Sequence, residues 1–283
     1  MIVDQAEQLR RMVRRSETAA RVLAITSGKG GVGKTNVAAN LAICLGACGR
    51  DVTLLDADLG LANLDVVLGL KPRYNLAHVV SGRRHIEDVV QDGPAGVRVV
   101  CGASGLAQIA DLSEFQRQQL LHQMVRLEQQ ADIIVIDTGA GISSNVLGFC
   151  NAADHTLVVT TAEPTSITDA YALIKNVIQH RSDTRISLLV NMVDSRDEAK
   201  RVYQRIAHVA QKFLSVVVYD AGYIVRDQHV SDAVHQREPV TLAYPRCRAS
   251  YCFLTLARKL SRAADNHSEA RDGFFRKVVN WFC

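Results

Sequence analysis

The stretch SGKGGVGKT, residues 27–35, constrains the fold more than any other part of the chain. It follows an apolar run, RVLAITS, and leads into TNVAANLAICLGACG, a segment of helical character. Residues 28–35 satisfy G-x-x-x-x-G-K-[ST] in full between a strand and a helix, the context in which that spacing cradles a phosphate. The glycines let successive backbone N–H groups converge on phosphate oxygens, and the helix N-terminus adds partial positive charge. The expected nucleotide-binding residues are Gly28, Gly30, Gly31, Val32, Gly33, Lys34, Thr35 and Asn36. Lys34 is placed to reach the β- and γ-phosphates, and the Thr35 hydroxyl to ligate Mg2+. A second lysine, Lys29, stands in the same loop without an evident task.

Further β-rich runs follow: DVTLLDAD, VRVVCGA, DIIVIDTG, HTLVVTTAEP, ISLLVNMV and SVVVYD. Segments of helical character separate most of them, among them SEFQRQQLLHQMVRLEQQ, SITDAYALIKNVIQ and RDEAKRVYQRIAHVAQKFL. Continuous apolar strands alternating with helices predict a doubly wound, mostly parallel α/β sheet with helices on both faces. With 283 residues the chain has ample core material, and one such domain over residues 20–262 accounts for the pattern. Residues 1–19 carry Ile2, Ala6, Leu9 and Val13 at helical spacing. Residues 263–272 read as a polar linker into GFFRKVVNWFC, so 263–283 form a tail.

Composition excludes several classes. A formal charge of +4 is too small to argue for nucleic acid, and no direct nucleic-acid partner is expected. Seven cysteines include no C-x-x-C pair, and nine histidines fall without ligand spacing, so neither a disulfide framework nor a zinc site is expected. The opening MIVDQAEQLRRMVRR lacks a secretion-type apolar core, and no apolar run approaches the roughly 18 residues of a membrane span. The expectation is a reducing cytoplasm.

Magnesium at a phosphate site also needs a carboxylate at a strand end. IIVIDTG supplies Asp137 and LLDAD supplies Asp56 and Asp58, at the sheet edge where ligands of such folds bind.

KGGVGKT with its additional lysine, DADLGLANLD and IDTGAGIS together resemble the MinD/ParA group of P-loop ATPases, over about residues 20–262. The resemblance implies that ATP drives a face-to-face homodimer in which Lys29 reaches the partner's nucleotide, offsetting the repulsion of two triphosphates. It implies that Asp58 positions or activates the attacking water, that Asp56 helps hold the magnesium shell, and that Asp137 ligates magnesium through water. Gly141 would meet the γ-phosphate through its backbone. Many relatives carry proline where this chain has Gly139, which makes the switch segment here more flexible. Asn191 matches the group's usual adenine contact, and the segment YDAGYIVRDQHV would close over the base, with Asp220 a further candidate. Asn191 and Asp194 mimic a guanine signature, but Met192 replaces its lysine, so ATP is the expected nucleotide.

At residues 4–10, DQAEQLR matches D-Q-A-x-x-L-R and is similar to the activator helix of the FlhG (FleN) family of flagellar number regulators. That similarity implies docking of residues 1–19 on the GTPase FlhF, which that family's helix stimulates. Gln5 and Gln8 offer amides able to orient a catalytic water, beside apolar Ala6 and Leu9. In the tail, Phe274, Phe275, Val278, Val279 and Phe282 share one helical face, opposite Arg276, Lys277 and Asn280. Such an end suits an anionic membrane and resembles the membrane-targeting tail of the MinD group, though core packing or a dimer contact gives the same pattern. The expected protein is a switch ATPase controlling flagellar number and placement, reversibly associated with the inner membrane face. The alternatives are a nucleotide-gated antagonist of a flagellar transcription activator and a DNA-partition ATPase. A switch-complex protein is a further expected partner.

Overall fold

The computed structural model describes residues 20–58, 63–102, 113–181, 184–265 and 273–282. In chain order the elements begin with β1 (Arg21–Ser27), α1 (Lys34–Ala47), β2 (Val52–Ala57), α2 (Leu64–Val67) and α3 (Leu76–Val80). Then come β3 (Val90–Asp92), β4 (Arg98–Val100), α4 (Glu114–Gln130), β5 (Ile133–Ala140), α5 (Ser144–Ala152) and β6 (His155–Thr160). The remainder is α6 (Pro164–His180), β7 (Arg185–Val193), α7 (Arg196–Leu214), β8 (Val218–Val225), α8 (Gln228–Gln236), α9 (Val240–Ala243), α10 (Arg248–Asp265) and α11 (Phe274–Phe282).

One sheet of eight strands in the order β3-β4-β2-β5-β1-β6-β7-β8 carries the domain. All neighbours run parallel except β3, which pairs antiparallel with β4 at one edge. β1 lies between β5 and β6, and its alternation splits the core. Leu23 and Ile25 join the cluster beneath α1 and α10, while Val22 and Ala24 join the cluster beneath α4 and α11. Central strands covered on both sides require this continuous apolar reading. The phosphate loop, Asp56, Asp137 and Asn191 therefore reach the same carboxyl edge.

The domain limits differ from expectation at the C-terminal side. α10 runs on to Asp265, into the segment expected to be linker, and the expected helix at residues 1–19 lies outside the described residues. The tail helix α11 forms, but its apolar face is turned inward: Phe274, Phe275, Val278 and Val279 are buried against α4 and α5. Glu128 of α4 accepts the Phe275 amide at 2.8 Å at the start of α11, where a helix N-terminus favours an acceptor. Trp281 donates its indole N–H to the Ser144 carbonyl at 3.0 Å and lies against His180, ring centroids 5.2 Å apart. A groove of this domain occupies the face that the sequence offered to lipid. Among the described residues, no helix is long and apolar enough to cross a membrane.

Candidate functional site

The loop between β1 and α1 closes on a narrow space. Gly31 and Gly33 take φ of 79° and 86°, the left-handed region that suits glycine, and Gly33 is the N-cap of α1. A Cβ on Gly28 would lie 2.1 Å from the Asp169 carbonyl oxygen, and one on Gly33 would lie 2.6 Å from Asn191 Nδ2. Both positions are fixed by close approach, one to α6 and one to the end of β7.

The two lysines of the loop have opposite environments. Lys34 is 9% exposed, and burial lowers its pKa while Asp137 and Asp58 raise it, so the ammonium faces two carboxylates. The Lys29 side chain is 40% exposed and points across the mouth of the site, with Nζ 2.9 Å from Glu163 Oε2 and 3.0 Å from Thr165 Oγ1. Glu163, the N-cap of α6, and Thr165, in its first turn, are not marked in the sequence. No motif spacing marks them; only the parallel placement of β1 beside β6 brings them to Lys29.

The carboxylates gather as expected. Asp56 and Asp137 are register partners on β2 and β5. Burial, the main cause, pushes the Asp137 carboxyl up to about 7; Thr35 and Lys34 pull it down, and Asp56 and Asp58 add to the rise. Its Oδ1 is buried without a hydrogen-bond partner, while the Thr35 side chain bonds to the carboxylate. A buried carboxylate oxygen without a partner, beside a hydroxyl and two further acids, is an oxygen-rich donor set that fits Mg2+. Asp56, expected to help hold the magnesium shell, is buried beside Asp137. Burial takes its carboxyl to about 6, and its oxygens accept the amides of Asp58 at 3.1 Å and Leu64 at 3.4 Å. These bonds hold the segment that carries Asp58. A Cβ on Gly139 would stand 3.4 Å from Asp58 Oδ1, in ordinary contact. The Gly141 amide, expected at the γ-phosphate, donates instead to the Ser27 carbonyl at 2.8 Å.

Beyond α1 lies a cavity of about 130 Å³. Gly33, Asn36, Asn191 and Met192 form one wall and Val225, Arg226 and Asp227 the other, above Phe253. Asn191, the expected base contact, lines this cavity, and its Nδ2 donates to the Val32 carbonyl at 2.8 Å. Asp194 is drawn away by Arg226, which also binds the Met192 carbonyl at 3.2 Å and ties the two walls together. Asp220 does not reach this cavity. β8 is bulged between Asp220 and Gly222, the Asp220 carboxylate accepts the Gly222 amide at 2.8 Å, and the residue lines a separate recess beside Arg196, Lys200 and Tyr203 of α7. β8 also runs to Val225, so the residue at the cavity is Asp227, which an uncertain strand end concealed.

Residues 23–240 match the model of the CobQ/CobB/MinD/ParA nucleotide binding domain. The chain is 45% identical over 240 residues to the antiactivator FleN of Pseudomonas aeruginosa, covering 85% of this chain and 86% of FleN. It is 33% identical over 270 residues to the flagellum site-determining protein YlxH of Helicobacter pylori, covering 92% and 90% of the two chains. The solved cell division ATPase MinD of Pyrococcus furiosus superposes with a TM-score of 0.70 at 25% identity, covering 86% of this chain and 99% of MinD. With the phosphate loop, the paired strand-end acids and the sheet order already in place, the chain belongs to the MinD/ParA family of P-loop nucleotide-binding proteins.

Proposed function

We propose that this protein is a Mg2+-dependent ATPase working as a dimerising switch that controls the number and placement of flagella. The observation that carries the reading is the division of labour within one loop. Lys34 is sunk against Asp137 and Asp58, whereas Lys29 stands at the open face. An exposed cation at the rim is within reach of a second molecule's phosphates, where a charge-assisted hydrogen bond is strong. The flagellar assignment rests on the likeness to FleN and YlxH.

In this reading Thr35 and Asp137 hold Mg2+, which when bound neutralises phosphate charge; Asp58 orients the attacking water, and Asp56 keeps Asp58 in place. Asn191 and Asp227 face the adenine. Gly141 exchanges the Ser27 carbonyl for the γ-phosphate, so ATP and ADP hold the segment before α5 differently. That segment leads to Ser144, whose carbonyl receives Trp281, which offers a route from nucleotide to α11. Release of α11 would present Phe274, Phe275, Val278 and Val279 to an anionic membrane, and a dimer would present two such helices, multiplying a weak affinity. Residues 1–19 would engage FlhF, and a switch-complex protein is a further candidate partner.

A second reading, a nucleotide-gated antagonist of a flagellar transcription activator, is favoured by the antiactivator name of the 45% identical relative. It uses the same switch with a different client.

Phosphate release and binding of a fluorescent ATP analogue test the site. Lys34→Ala is expected to lose binding by at least tenfold. Lys29→Ala is expected to bind nearly as wild type and lose most turnover. Equal turnover by Lys29→Ala and wild type, or displacement of the analogue by GTP as readily as by ATP, would contradict the reading.

A further inference from the structure

Asp227, His229 and Cys247 converge from two parts of the chain that no spacing rule connects. Asp227 is the N-cap of α8, His229 lies in the first turn of α8, and Cys247 sits just before α10. One carboxylate oxygen, a His229 ring nitrogen and Cys247 Sγ all lie within 4.8 Å of one another. The imidazole nitrogen is 2.7 Å from Asp227 Oδ1, and the Cys247 side chain hydrogen-bonds the same carboxylate.

Each donor is held. Asp227 Oδ2 accepts the Ala249 amide at 3.1 Å, which ties the start of α8 to the start of α10. The His229 ring packs on Tyr244 with centroids 4.8 Å apart, and the Tyr244 hydroxyl accepts from Gln236 at 2.8 Å. Cys247 Sγ accepts the Ser250 amide at 3.4 Å at the start of α10. The His229 side chain is 50% exposed, so an ion can enter from solvent.

We propose that Asp227, His229 Nδ1 and Cys247 form a site for a borderline-soft divalent transition metal of the Zn2+ class, with water completing the shell. A mixed oxygen, nitrogen and sulfur set selects such an ion over Mg2+, which takes oxygen ligands, so the site is chemically distinct from the phosphate site. Binding moves the Cys247 thiol proton to solvent and forms the metal–sulfur bond; nothing is oxidised or reduced. Because Asp227 also lines the cavity beside Asn191, the ion pins one wall of that cavity to α10. Metal and nucleotide are then linked, and each raises the affinity of the other. This second step rests on the base reading above, whereas the metal site does not.

The test uses the full chain stripped of metal, with MgADP saturating, and titrates Co2+ and then Zn2+. One equivalent of Co2+ should give a thiolate-to-cobalt charge-transfer band that Zn2+ abolishes. Cys247→Ser should lose the band, His229→Ala should weaken metal binding at least tenfold, and Cys252→Ser should behave as wild type. Should Cys247→Ser fold poorly, alkylation of the wild-type chain replaces it: Zn2+ should slow labelling of the Cys247 peptide and leave the Cys252 peptide unaffected. A band that survives in Cys247→Ser, or unprotected labelling of Cys247, overturns the site. A proper band together with the same MgADP affinity, titrated separately on the chain with and without Zn2+, overturns the linkage alone.

Discussion

His155 lies in β6 with Nε2 2.8 Å from the Ser187 hydroxyl, between strands that carry Arg21 and Arg185. Burial first, and the two guanidinium groups second, lower its pKa from 6.5 to about 3. The native state therefore holds a neutral ring where the unfolded chain takes up a proton. The folded pKa is depressed, so stability is full above pH 6.5 and is lost as pH falls from there towards about 3. The loss approaches about 1.4 kcal/mol per pH unit. Chemical denaturation at pH 7 and pH 5 should show wild type losing about 2 kcal/mol more than His155→Gln; equal losses would contradict this account. At the residue scale the sequence is legible where one motif places its atoms by local geometry, as at Gly33 and Lys34. It is not legible where the partner lies far along the chain. Glu163 beside Lys29 and Asp227 beside Asn191 follow from strand order, and strand order is not written in either neighbourhood.

α11 shows the same limit one scale up. Its amphipathic face is plain in the sequence, but burial against a protein groove and burial in a lipid surface ask for the same residues. What decides is on other elements: Glu128 at its first turn, and Gly148 of α5 beneath Trp281. Any Cβ on Gly148 would lie 2.4 Å from the indole, so the glycine is the socket for that ring. Each of the four buried side chains contributes at most about 1.5–3 kcal/mol to docking. Gly148→Ala raises the intrinsic helix propensity of α5 by about 1 kcal/mol, so its effect on α11 is steric rather than a loss of α5. Trp281 is the only tryptophan, which makes its emission a direct report. Gly148→Ala should shift that emission to the red and raise co-sedimentation with anionic vesicles several-fold without ATP. Unchanged emission would mean that the groove does not hold the helix through this contact. The main strands and long helices were legible because their periods agree with their burial. The short antiparallel β3 and the far end of β8 were not, since three edge residues and a bulged strand carry little pattern.

For the whole molecule, the proposed switch joins a phosphate site, a segment whose Gly141 amide is bonded to the Ser27 carbonyl, and a tail helix packed on the same domain. None of these parts acts on flagella alone; the proposed output is a change of assembly state, and a nucleotide shifts it only by binding one state more tightly than the other. Lys29 is held by Glu163 and Thr165 in the single chain, and in the proposed dimer it is assigned to the neighbour's nucleotide. The most direct test is light scattering of Asp58→Ala, in which hydrolysis is removed, with MgATP and with MgADP. The account predicts one chain of 31.0 kDa with MgADP, a mass twice that with MgATP, and a single chain under both conditions once Lys29→Ala is added. The same mass for Asp58→Ala with either nucleotide, or a dimer that persists without Lys29, would contradict it.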